Sequence, residues 1–313
     1  MDFIRQGFKL LSATAASGRL SVLMFHRVLP RPDEIFQDEP DAQRFDQICA
    51  WLKQWFEVLP LDQAGQMLVE GRLPGRACCI TFDDGYADNH EVALPILQKH
   101  GLPATFFIAT GFLQGGRMWN DTVIEAVRHC RQPELDFGAY GRFALSNASA
   151  RRKAIEAIIG AIKYLPIAER LAAAEDLLER SGARLEEQLM MGPDGVRLLH
   201  DAGMQIGAHT VSHPILARTE PQIARQEILD SKCYLEDLLG QGCSLFAYPN
   251  GKPGRDYLPE HVEMVRELGF KTAVSTAWGA SGKGADPLQL QRFTPWDRSK
   301  GAFGLRLMRN LLA

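Results

Sequence analysis

Two short stretches hold the residues best able to do chemistry. "TFDDG" (81–85) sets two carboxylates, Asp83 and Asp84, side by side, and "HTVSH" (209–213) sets His209 and His213 four residues apart. Adjacent like charges repel, and a buried carboxylate without a partner is costly. A bound cation would offset that cost. Neutral imidazole suits Zn²⁺ and similar transition metals. One carboxylate with two histidines leaves coordination positions open for water and substrate, as a catalytic metal site requires. The other carboxylate, left off the ion, can take the proton of that water. Each stretch alone also has a plainer reading. Asp-Asp-Gly is a common solvated turn, and His-x-x-x-His lacks the internal glutamate of His-Glu-x-x-His. The two weigh more together if the fold brings them to one place.

The elements around them predict that it does. Short apolar runs recur at "LSVLMFHR" (20–27), "ACCITFDD" (77–84), "PATFFIAT" (103–110), "MQIGAHT" (204–210), "SLFAYP" (244–249), "KTAVST" (271–276) and "LQLQRFTP" (288–295). Their length and β-branched content predict strands, and near-continuous apolarity predicts burial on both faces. Helical patterns fall between them at 44–57, 92–101, 221–240 and 259–270, with Gly101, Gly240 and Gly269 at the expected C-caps. Alternating strand and helix predicts an α/β fold. The expected architecture is a distorted (β/α)7 barrel, with an open doubly wound sheet as its competitor. In a parallel barrel the C-terminal strand ends share one mouth. His26 ends the first strand, Asp83 and Asp84 the second, and Tyr248, Pro249 and Asn250 the fifth. His209 and His213 follow the fourth, and Arg292 lies in the seventh. A strand points adjacent residues to opposite sides, but Gly85 lets the backbone turn so that both carboxylates face inward.

One connection is too long for a loop. Residues from about 113 to 194 read as a helical insertion between the third and fourth strands, with "DFGAYGRFALSNAS" (136–149) as a small hairpin or loop. The chain 1–313 is expected to be one domain with its core at about 20–112 and 195–297 and a C-terminal helix at about 299–313.

Bulk properties exclude several classes. A net charge of −3 gives no electrostatic case for nucleic acid as a partner. The six cysteines form no Cys-x-x-Cys and read as reduced thiols. No window is long and apolar enough for a membrane span, and the N-terminus lacks the apolar region of a signal peptide. Phe3, Ile4, Phe8 and Leu11 share one helical face, which fits a helix packed on the domain or a weak membrane-surface anchor. The expected location is therefore cytoplasmic or peripherally membrane-associated. Asp88 and Asn89 are placed to cap the helix that follows them.

"TFDDG" and "HTVSH" resemble the first two motifs of the NodB-homology polysaccharide deacetylases, the fourth family of carbohydrate esterases. "FHRV" (25–28) resembles the branch acting on exopolysaccharides. The resemblance implies a (β/α)7 barrel in which Asp83 is the general base. It also implies that Asp84, His209 and His213 bind a divalent metal, usually zinc; Co²⁺ and Ni²⁺ share the ligand preference. Its implied substrate is an acetylated amino sugar.

Two departures from the family pattern matter. The third motif, Arg-x-Pro-Tyr, reads "AYPN" here, with Ala247 at the arginine position and Asn250 at the tyrosine position. The backbone N–H of Asn250 can still serve an oxyanion, and Arg292 or Arg27 is available to orient the base. The fifth motif, Leu-x-His, reads "LQR" (290–292), with no histidine to act as general acid. His26 is the candidate for that role. Tyr248, Pro249, Trp278 and Trp296 are candidates to line a sugar site. The expected activity is metal-dependent hydrolysis of the N-acetyl group of an N-acetylhexosamine. The rivals are an amidohydrolase acting on a small cyclic amide or ureide and a non-catalytic sugar-binding module.

Overall fold

The computed structural model describes residues 4, 6–8, 18–185, 189–294 and 297–312. Seven parallel strands close on themselves: Leu20–Phe25, Ala77–Phe82, Thr105–Ile108, Gln205–Ala208, Leu245–Ala247, Thr272–Trp278 and Leu290–Phe293. The seam is the first strand, paired with the second (Leu20↔Ala77 to Phe25↔Phe82) and with the seventh (Val22↔Arg292). The competing open sheet is thereby excluded. Most strands stop just before the polar residues that ended the apolar runs. The sixth instead continues to Trp278.

The strands are apolar throughout because each face packs against something different. Leu20, Val22, Ala77, Cys79, Phe107, Leu245, Ala247, Val274 and Leu290 form one buried cluster with the helix Leu61–Val69. The alternate residues, among them Leu23, Phe25, Ile80, Phe82, Phe106, Phe246 and Phe293, pack with the surrounding helices. The helix Leu61–Val69, not anticipated from the sequence, lies against the N-terminal strand ends. Gln205 Oε1 accepts the Leu61 N–H at 2.7 Å and the Thr105 hydroxyl at 3.0 Å. With that end covered, the opposite end is left for a site.

Interior space is tight. A Cβ on Gly207 would lie 2.5 and 2.6 Å from ring atoms of Phe107 and 3.0 Å from the Leu245 carbonyl. Gly207→Ala is expected to destabilise the barrel by about 1–3 kcal/mol through overpacking, read as a lowered melting temperature. An unchanged melt would mean that Phe107 can move aside freely.

Residues 32–37 and 115–190 form a second compact unit. It contains helices Trp119–His129, Ala148–Ile162 and Ile167–Ser181 and an antiparallel hairpin pairing Glu134–Asp136 with Arg142–Ala144. Its own apolar core includes Val123, Val127, Phe137, Ile155, Ile158, Leu177 and, from the short segment, Ile35.

All six cysteines are free. Phe8 is buried against Trp55 and Phe56, while Phe3 and Leu11 lie outside the described residues. Among the described residues no helix is long and apolar enough to cross a membrane.

Candidate active site

Asp83 continues the inward-facing column Ala77, Cys79, Thr81, so the two-residue period of the strand aims its carboxylate into the barrel. Asp84 should then face away. Instead the backbone turns: Asp84 has φ 78° and Gly85 φ 91°. The left-handed conformation brings both carboxylates to the mouth. Only five described non-glycine residues have positive φ, and four of them, Asp84, Thr210, His213 and Asn250, are on this rim. Such positions cost on the order of 1–3 kcal/mol each and tend to cluster at functional sites.

Asp84 faces the two histidines. Its Oδ1 lies 3.4 Å from His209 Nε2 and 3.5 Å from His213 Nε2. One ligand atom from each of the three residues lies within 4.8 Å of the other two. Asp84 Oδ1 is buried without a hydrogen-bond partner. That orphaned oxygen, facing two imidazole nitrogens, is what a cation would satisfy. Tetrahedral zinc with bonds of about 2.0–2.1 Å separates its ligands by about 3.4 Å, so the donor types and the two Asp84–histidine spacings fit the ion. His209 Nδ1 lies 2.7 Å from the Ala247 carbonyl. A carbonyl only accepts, so Nδ1 carries the proton and Nε2 is the free donor atom.

Asp83 is held differently. Arg292 Nη1 and Nη2 donate to its two oxygens, each at 2.7 Å, and the whole pair is buried. Arg292 also gives Nε to the Ser275 carbonyl at 2.8 Å and Nη1 to the Thr81 hydroxyl at 3.3 Å. Of the two arginines considered from sequence, Arg292 grips Asp83, whereas Arg27 pairs with Asp88 at 2.7 Å.

Electrostatics follow from these contacts. Burial pushes the Asp83 carboxyl up, but Arg292, His209 and His26 outweigh it and hold the group below the usual carboxylate range. Burial likewise opposes ionisation of Asp84, and the two histidines and His26 overcome it. Desolvation lowers His213 to about 4, which leaves its imidazole neutral and able to ligate. At His209 desolvation acts downward, but Asp84 and Asp83 outweigh it and leave the ring more basic than usual. The same two carboxylates would attract a cation.

His26 is part-buried at the end of the first strand and acts electrostatically on both aspartates. Its ring nitrogens have no hydrogen-bond partner among the described residues, so it is not a core histidine tied to backbone. Its backbone is fixed by the "YADN" turn: Asn89 Nδ2 donates to the His26 carbonyl at 2.9 Å, and Asp88 accepts from the Val28 N–H and Arg27 Nε. The helix-capping role read for Asp88 and Asn89 is therefore corrected. No side-chain cap forms at Asp88, because the carboxylate is committed to these donors. Glu39 had no distinguishing signal in its acidic loop, yet it also senses His26 and Arg27. Burial raises its carboxyl despite their pull.

Asn250, at φ 60°, presents an N–H with no partner among the described residues. Pro249 beside it is buried. Tyr248 does not offer a face to a sugar: it is fully buried, stacked on Tyr257 at 3.8 Å, and donates its hydroxyl to the Leu288 carbonyl. Two residues after Phe246, the ring continues the face of the strand that packs with the helices, and is buried there. Trp278 is half-exposed but lines a groove with Asp297, Ala302, Leu305, Arg306 and Arg309, and none of the mouth residues line that groove. Trp296 lies outside the described residues.

Comparison with known proteins agrees with this fold. YxkH of Bacillus subtilis (strain 168) is 23% identical over 295 residues, covering 93% of this chain and 77% of that protein. Among solved structures, Streptococcus pyogenes deacetylase PplD, in complex with acetate, superposes with a TM-score of 0.62 at 19% identity, covering 94% of this chain and 98% of its own. IcaB from Ammonifex degensii gives a TM-score of 0.62 at 18% identity, covering 95% and 98%. These likenesses establish a shared fold. The sequence profile described as polysaccharide deacetylase matches residues 70–273, a span that contains both Asp83-Asp84 and His209–His213, and the chain belongs to the polysaccharide deacetylase family.

Proposed function

We propose that this protein removes N-acetyl groups from an N-acetylhexosamine-containing saccharide by metal-assisted hydrolysis. The observation that carries the reading is the division of labour between adjacent carboxylates. Asp84 shares its Oδ1 with two histidine nitrogens, while Asp83 is turned to Arg292. A Zn²⁺ ion, or Co²⁺ or Ni²⁺, held by Asp84, His209 and His213 would polarise the acetyl carbonyl and acidify a water.

The chain's own groups do the rest. Asp83 takes a proton from the attacking water as the new C–O bond forms. Arg292 keeps that carboxylate ionised despite its burial and fixes the direction of its oxygens. The Asn250 N–H donates to the oxyanion that develops on the acetyl oxygen. His26 gives a proton to the nitrogen as the C–N bond breaks, so acetate and a free amino sugar leave. The His-Arg-Val run at 26–28 supports an exopolysaccharide as the source of that sugar.

The direct test is acetate release from N-acetylated chito-oligosaccharides, lost with a chelator and restored by added Zn²⁺. Ring opening of cyclic ureides without acetate release would instead identify a small-amide hydrolase. His26→Ala is expected to cut turnover by about 10²–10⁴-fold with metal content unchanged. Turnover at the unaltered rate would remove His26 as the acid.

A further inference from the structure

The two histidines that face Asp84 are not fixed in the same way. His209 is oriented through Nδ1 by the Ala247 carbonyl. The His213 ring has no hydrogen-bond partner among the described residues, so its orientation depends on the backbone that carries it. That backbone is strained, with Thr210 at φ 65° and His213 at φ 53°.

The intervening segment is gripped from two sides. The N–H groups of Val211 and Ser212 converge on Glu227 Oε2 at 2.9 and 2.8 Å, and the Ser212 hydroxyl donates to Oε1 at 2.7 Å. Successive N–H groups of this kind make a small anion-binding concavity, here filled by a carboxylate through charge-assisted bonds. On the other side Thr110 N–H donates to the Thr210 carbonyl at 3.1 Å and Gly111 N–H to the Val211 carbonyl at 2.8 Å. A Cβ on Gly111 would come within 2.7 Å of that oxygen. Glu227 stands on the helix Pro221–Leu239, which follows the histidine loop in the chain.

We infer that Glu227 is a positioning residue of the metal centre. By pinning Val211 and Ser212 it holds His213 Nε2 over Asp84 Oδ1 and so sets the affinity for a divalent cation. The inference rests on the proposed metal reading. Glu227 itself makes no hydrogen bond or ion pair with either imidazole among the described residues, and no sequence motif marks it.

The test is Zn²⁺ titration of the metal-stripped full-length chain against a chromophoric chelator, together with amide exchange at Val211 and Ser212. Glu227→Ala is expected to weaken zinc binding by about 10–100-fold, the usual effect of losing an outer-shell partner, and to speed exchange at both amides. Glu227→Gln keeps one accepting oxygen and should recover part of the loss; it carries the test if the alanine variant does not fold. Arg225→Ala, which removes an exposed ion pair to Glu267 from the same helix, should bind zinc as the unaltered chain does. Unchanged zinc affinity in both Glu227 variants would overturn the inference, as would an equal loss in Arg225→Ala. If the unaltered chain bound no zinc, the metal reading itself would fall, and this inference with it.

Discussion

Exchanging Asp83 for Asn should lower acetate release by about 10²–10⁴-fold, the usual contribution of a positioned general base. The amide has nearly the shape of the carboxylate but cannot take a proton from water. Because the candidate cation site of Asp84, His209 and His213 does not include Asp83, bound metal should be unchanged. That split separates the base from the ligands, since Asp84→Ala should lose both metal and turnover. It also tests the binding-module alternative, because a pure sugar binder would lose nothing with Asp83. An Asp83→Asn variant retaining more than a tenth of normal turnover would require another base. A melting curve belongs with the assay, because the substitution leaves Arg292 charged and buried.

Arg292→Met should give the largest stability change. The Arg292 side chain is fully buried and its Asp83 partner nearly so. Removing one member of such a pair leaves the other charge in a poorly solvating interior, a loss of about 3–5 kcal/mol. For a protein of this size that lowers the melting temperature by roughly 2–4 °C per kcal/mol. The Ser275 carbonyl and Thr81 hydroxyl lose their donor as well. Pairing the change with Asp83→Asn removes the stranded carboxylate, so the double variant should be more stable than the sum of the singles implies. Arg292→Lys keeps the charge but not the two-pronged geometry, and is expected to restore only part of the activity. Additive stabilities in the cycle would show that the pair is not coupled, and the orienting role of Arg292 would fail with it.

Much of this architecture was readable because barrel strands are buried on both sides. They stand out as apolar runs between helical patterns, and their polar ends point to the mouth. The four residues Asp83, Asp84, His209 and His213 followed from that placement. The helix Leu61–Val69 was missed because it covers the strand ends through a mixed, glycine-containing face. The apolar run 244–249 marks the strand, but not that Tyr248 packs among the helices rather than at the mouth. Nothing local shows whether an aromatic at a strand end meets solvent or, as here, a second ring such as Tyr257. Trp278 is close to the rim in sequence, whereas the long sixth strand carries it to the groove beside the helix Lys300–Leu312.

The sequence alone determined the family, the barrel and the chemical kinds of the reactive groups, because these depend on local periodicity and on residue types at strand ends. Which arginine meets Asp83, and that Glu227 reaches the histidine loop, were decided only by tertiary structure. The Arg292–Asp83 pair spans 209 residues. It forms because the first strand lies between the second and the seventh, so closure of the barrel aims two inward columns at one point. Such a pairing depends on strand order and register, and neither is encoded in the residues nearby.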